Sequence, residues 1–249
     1  MLFRQTQDGV LAISQPMHAW IAGQFLRSWR TPLDPHLLLA AEQHDIAWMD
    51  WETAPSFDAR HGRPHLFRDV GAAIHAPMWL RGVERAAQSW GLRVALLILR
   101  HGGIIYRRYT DRHQLSTADA AAAADYLRHL AETETLWVAR LGLDAATLAH
   151  DTALIAFADT LSLLLCGELS PPLDLEAPDG DGGMLHIRAE AAGGGVTLAP
   201  WPFQNEQIAV TGEALLLPPG GRLADEDAMR QWLGEGHRVA FTAQARKGG

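Results

Sequence analysis

Cysteine is almost absent: Cys166 is the only one in 249 residues. That excludes an intrachain disulfide and any thiolate zinc cluster. Its neighbours Leu163-Leu164-Leu165 mark it as a small core residue rather than a nucleophile. Lysine is equally scarce. Lys247, near the C-terminus, is the only one, so Schiff-base or pyridoxal-phosphate chemistry on an internal lysine is excluded. No apolar run reaches membrane-spanning length, and the longest, residues 153–166, is interrupted by Asp159. The first eight residues lack a signal-peptide core, which makes the cytoplasm the expected location. A formal charge of −8 argues against an extended nucleic-acid surface or an anionic membrane as partner. With 48% apolar and 20% charged residues the chain reads as soluble and globular. Its length allows one large domain, or a main domain with an appendage.

The most informative residue present is Asp159. The run Leu154 to Cys166 reads as a helix on which Ile155, Asp159, Leu163 and Cys166 share one stripe. A carboxylate buried on such a stripe costs several kcal/mol or more, roughly, unless a cation or donors compensate it. The segment holds no Arg or Lys. Four histidines lie in similarly apolar settings: His18 among Trp20, Ile21 and Phe25; His44, with Asp45, after Leu37-Leu38-Leu39; His75 before Met78-Trp79; and His101 after Leu96-Leu97-Ile98-Leu99. Each alone is more simply a hydrogen-bonded core residue. Together they suggest a buried centre for a divalent transition metal, with imidazole and carboxylate suiting Fe, Mn, Zn, Ni or Co.

The expected architecture is mainly α, a helical bundle followed by a small β-rich module. Residues 1–13 read as a short strand or arm. Ser14 caps a helix to about Arg30, and Asp34-Pro35 starts another that ends near His44-Asp45. Residues 46–69 read as a long ordered loop. Helices are expected at 71–90 and 92–101, then from Thr117 to Arg140, then one carrying Asp159 and capped by Asp144 or Asp151. The division is a helical metal-binding domain over 1–170, a Pro/Gly linker over 171–183, and a β-rich module over 184–249 with a hairpin at Gly193-Gly194-Gly195. Trp201-Pro202-Phe203 is the expected docking point of that module.

The order His18, His44-Asp45, His75, His101, Asp159 resembles the HD-domain superfamily of metal-dependent phosphohydrolases, over roughly residues 14–168. The resemblance implies one metal held by His18, His44, Asp45 and Asp159. It implies a second held by His75 and His101, with Asp45 bridging. The stretches Gln15 to Trp20, His44 to Trp48 and Thr197 to Phe203 also look like an uncharacterised bacterial family of unknown function. That family commonly has Gly where Ala47 stands.

The function expected on this resemblance is two-metal hydrolysis of a phosphate ester or phosphodiester, with Asp45 as the catalytic bridge. One alternative is a mixed-valent di-iron oxygenase. The phosphonate-cleaving members of that class carry a lysine shortly after the fourth histidine, and Gly102-Gly103-Ile104-Ile105 stands there. The other is a metal-stabilised binding or scaffold protein without chemistry. The expected partner is a small anionic molecule, and a homo-oligomer is compatible with the sequence. Of Arg60, Arg63, Arg68 and Arg100, Arg63, flanked by Gly62 and Pro64, is the best candidate to grip that anion. Asp179-Gly180-Asp181 lacks the ligands of a calcium loop, and Ser162 lacks the context of a serine nucleophile.

Overall fold

The computed structural model describes residues 1–112 and 115–248. The chain opens with a hairpin, β1 (Leu2–Thr6) and β2 (Gly9–Ile13), closed by a tight turn before Gly9, which takes φ +133°. Ser14 then caps α1 (Gln15–Arg27) by accepting from the Met17 N–H at 3.2 Å. Asp34 caps α2 (Pro35–Gln43) in the same way, through His36. The stretch 46–69 is ordered throughout. It holds a 3-10 turn at Ile46–Trp48, α3 (Met49–Glu52), the short pair β3 (Phe57–Asp58) and β4 (Arg63–Pro64), and a second 3-10 turn at Phe67–Asp69.

Three long helices follow: α4 (Ala72–Trp90), α5 (Leu92–Arg112) and α6 (Thr117–Leu141). The cap of α6 is Ser116 rather than Thr117, accepting from Asp119 N–H at 3.1 Å. Asp144, not Asp151, caps α7 (Ala145–Leu165). Asp151 lies inside that helix, 3.3 Å from Arg93. By length and composition α7 could cross a membrane, but its apolar residues are mostly buried, as in the core helix of a soluble protein. It packs against α1, α5, α2 and the strand β5 (Leu173–Pro178).

The remaining elements are β6 (Met184–Ala192), β7 (Gly195–Ala199), β8 (Gln207–Leu216), α8 (Glu226–Glu235) and β9 (Arg238–Lys247). Here the expected fold class is corrected. The protein is about 51% helical and 23% strand, and its β structure is one large curled mixed sheet, not a small module beside an all-α bundle. The order is β1-β2-β8-β9-β7-β6-β5, antiparallel except where β7 runs parallel to β9. Both ends of the chain supply strands, because β2 pairs with β8 through Leu11↔Leu216 and Ala12↔Leu215.

Two features hid this sheet from sequence reading. The β1–β2 hairpin is only five residues a side, so its period-2 signal is short. In β5, Pro171, Pro172 and Pro178 bound the strand and give it the composition of a linker, although an edge position tolerates proline. The β6–β7 hairpin does form at Gly193–Gly195.

The long helices and the sheet share one large apolar core, while α8 packs with Met1, Ala12 and Leu215 in a second, smaller one. Beyond the reach of β2, the Gln24 side chain serves β8: its amide donates to Thr211 O at 2.8 Å and accepts from Thr211 N–H at 3.0 Å. Phe203 packs its ring 5.8 Å from Phe25, 5.7 Å from Trp29 and 6.1 Å from Phe157, so the Trp201-Pro202-Phe203 corner is docked on α1 and α7. The helical layer is thereby clamped to the sheet on two sides of α1, the helix that carries His18.

Candidate metal centre

The first turn of α1, the end of α2, the middle of α5 and the middle of α7 converge on one buried point. They bring His18, His44, Asp45, His101 and Asp159 together. The histidines His18, His44 and His101 are at most 1% exposed, and the Asp45 residue is 4% exposed. Suitable ligand atoms of His18, His44 and Asp159 all lie within 4.8 Å of one another. Asp45 Oδ2 is 2.6 Å from His18 Nε2 and 3.9 Å from His44 Nε2. Asp159 Oδ1 faces His44 Nε2 at 3.4 Å and His18 Nδ1 at 3.8 Å, while its Oδ2 faces His101 Nε2 at 3.8 Å. Both carboxylates therefore touch more than one imidazole. The bridging role that resemblance gives to Asp45 is matched in geometry by Asp159.

The outer hydrogen bonds of two histidines set their tautomers. His44 Nδ1–H donates to Ala41 O at 2.8 Å. Ser162 Oγ donates to Asp159 O at 2.8 Å and lies 2.8 Å from His18 Nδ1, so it accepts from that nitrogen. With both Nδ1 atoms committed as donors, the Nε2 atoms are left to face carboxylate oxygens. Neutral imidazole there sets lone pair against lone pair, an arrangement that calls for a shared cation. Among the described residues, His44 Nε2 and both ring nitrogens of His101 are buried without a hydrogen-bond partner. A buried ring nitrogen without a partner is costly whether it donates or accepts, and three in one cluster, at least one of them a lone-pair nitrogen, fit a metal better than a packed core.

Protonation is the substitute the chain offers. Burial alone would push His44 down, but the Asp45 and Asp159 carboxylates outweigh it and raise it to about 9. Burial opposes ionisation of Asp159 as well, yet His44, His101 and His18 hold its carboxyl well below the usual range. His101 goes the other way, pushed down to about 4 by burial and by the neighbouring charge of His44.

His75 stands apart from this cluster. Its Nδ1 shares a short hydrogen bond with the Tyr106 hydroxyl, and its ring stacks on Tyr106 at 5.3 Å and tilts against Trp48 at 5.9 Å. Burial lowers it to about 4 despite Asp119 and Asp45. Trp48 does roof this side, with Trp51 edge-on to it at 5.7 Å. Arg63 lies elsewhere, in a cleft none of whose lining residues belongs to the centre.

Several contributors escaped the sequence. Ser162 had a signal, since it lies three residues from Asp159 on the same helix face. The Ala41 carbonyl and Tyr106 had none, because they depend on how helices pack. Ala47 is accommodated by Gly82 of α4, where a Cβ would come 2.6 Å from that of Ala47. Gly102, in place of a longer side chain after His101, lets Tyr126 and Trp79 close over α5. Tyr126 then donates to Leu99 O at 3.0 Å.

Fold and site together define a protein with a buried His/Asp centre in a helical layer laid on a curled mixed sheet. The family described as Protein of unknown function (DUF3891) matches residues 1–219, and the chain belongs to that family. No curated protein and no solved structure matches it. The membership carries no activity with it. Neither the HD-domain kinship nor the label of hydrolase finds support in these matches, and the label all-α is overturned by the sheet.

Proposed function

We propose that the centre holds a divalent transition metal and that the protein is a metal-dependent hydrolase of a small phosphate ester or phosphodiester. The observation that carries the metal is the pair of Nε2 atoms, on His18 and His44, aimed at carboxylates with their Nδ1 atoms already committed. His18, His44, Asp45 and Asp159 would hold the first ion. His101, whose neutral ring faces Asp159 Oδ2, is the next ligand in reach; a second ion would also need His75, now engaged by Tyr106. Ions bound there would supply Lewis-acid activation of water and of the phosphoryl group.

The chain's own residues do the rest. Ala41 O and Ser162 Oγ orient the two imidazoles, and Asp159, with a side chain 15% exposed, would be the ligand nearest to water and substrate. The order His18, His44-Asp45, His75, His101, Asp159, carried by α1, the end of α2, α4, α5 and α7, supports kinship with HD-type hydrolases, to which the sheet would be an addition.

Manganese-loaded protein is expected to turn over bis-p-nitrophenyl phosphate without oxygen, and Asp45→Ala to abolish that turnover. Metal binding with no turnover of a broad phosphoester panel would leave the scaffold reading. The oxygenase reading rests on one observation, the aromatic wall of Trp48, Trp79 and Tyr106 about His75 and His101. Oxygen-dependent turnover confined to the iron form would favour it.

A further inference from the structure

We propose a second ligand site, separate from the centre and independent of the hydrolase reading: Arg63 and Arg222 form a receptor for a small phosphate-bearing molecule. The two arginines come from distant segments that the backbone locks together. Gly62, at φ +62°, turns β3 into β4, and its carbonyl accepts from Leu223 N–H at 2.6 Å. A Cβ on Gly62 would come 3.2 Å from Arg222 Nε, so the glycine seats the second guanidinium beside the first strand. Arg222 is held further by donating to Arg60 O at 2.9 Å. The Arg63 guanidinium lies 4.1 Å over the Phe3 ring, which fixes its plane at little entropic cost.

Neither arginine has a carboxylate within ion-pair distance among the described residues, whereas nearby Arg68 is bound to Glu168 at 2.6 Å. Burial lowers the Arg63 pKa; Asp58 and Asp69 oppose that, and the like charge of Arg222 adds to it. Two cations lining one cleft, each without a carboxylate partner, have use for an anion.

The cleft they line measures about 600 Å³, the size of a small-molecule site. Val10, Leu216, Leu217 and Pro218 give it one apolar wall. Gly220 and Gly221, at φ +89° and +67°, turn the loop that leads from this wall to Arg222, and Gly221 lies close against Val10. Asp8 also lines it, and His61 there is already paired with Asp58. A dianionic phosphate matches two guanidinium groups, while one carboxylate would leave a positive charge uncompensated. The apolar wall suits an organic group esterified to that phosphate.

The test is calorimetric titration of the chelator-treated protein with inorganic phosphate, phenyl phosphate and acetate. Saturable phosphate binding is expected, tighter for phenyl phosphate, weak for acetate, and reduced about tenfold or more in Arg222→Gln and Arg63→Gln, an effect of about 1.4 kcal/mol. If phenyl phosphate binds no better than the free ion, the ligand is inorganic phosphate rather than an ester. Phosphate should also protect Arg63 and Arg222 of the wild-type chain from phenylglyoxal, a readout that survives if either variant misfolds. No saturation at millimolar phosphate, wild-type affinity in Arg222→Gln, or labelling indifferent to phosphate would overturn the proposal.

Discussion

His44 and His75 are both buried and respond to burial in opposite ways. His44 is raised to about 9 because Asp45 and Asp159 outweigh its burial, while His75 is lowered to about 4 because burial outweighs the pull of Asp119 and Asp45. On the His44 side, Nδ1 donors and carboxylates leave the Nε2 atoms in need of a cation. On the His75 side, an aromatic stack and the Tyr106 hydroxyl hold the ring. The difference teaches that burial alone does not make a ligand. On the proposed reading the first side would hold an ion, and the second would have to release a hydrogen bond before it could take one.

The largest test of that contrast is metal retention by variants. Asp159→Ala removes the carboxylate shared by three histidines and is expected to abolish metal binding, read by elemental analysis. His75→Ala is expected to leave the ion on the His44 side in place. Equal loss in both variants would erase the distinction between the sides.

The second test is steric. Gly82→Ala puts a methyl group against Ala47 and is expected to cost about 1–3 kcal/mol in chemical denaturation, the usual range for overpacking. Adding Ala47→Gly should restore most of it. A Gly82→Ala chain as stable as wild type would show that the turn after His44-Asp45 is not held by α4.

Protons provide the third. In the metal-free protein His44 keeps its proton up to about 9, whereas an ordinary unfolded histidine releases it near 6.5. Stability from this group is therefore full below 6.5 and lost as pH rises through 9. His75 and His101, at about 4, resist protons that the unfolded chain takes up below 6.5, so stability also falls as pH drops towards 4. Thermal unfolding of the chelated protein should thus peak near 6.5. Bound metal replaces the proton on His44 and should remove the alkaline decline; an unchanged decline would contradict this.

The smallest effect expected is that of Tyr106→Phe. It removes one hydrogen bond from His75 and should cost roughly 0.5–1.5 kcal/mol, with the first ion retained.

What could be read in the sequence divides along the same line. The carboxylate on the apolar stripe of α7 and the His44-Asp45 doublet were visible because charge on an apolar face is locally anomalous. The helices that carry them announced themselves through Ser14, Asp34 and Asp144. The sheet was less legible, since β2–β8 pairing joins residues about two hundred positions apart and leaves no periodic trace. The engagement of His75 by Tyr106 was invisible for a related reason: it depends on the packing of α4 against α5. Arg63 stood out as an arginine in a glycine-proline turn, while its companion Arg222 became evident only through the backbone bond between Leu223 and Gly62.

The central claim is that the His18, His44, Asp45 and Asp159 side is a metal site, and metal content of protein purified without a histidine tag tests it most directly. At least one transition-metal ion per chain is expected in the wild type and in His75→Ala, and none in His44→Ala. A wild-type protein free of metal, and unable to take up manganese, iron or zinc after chelation, would contradict the account.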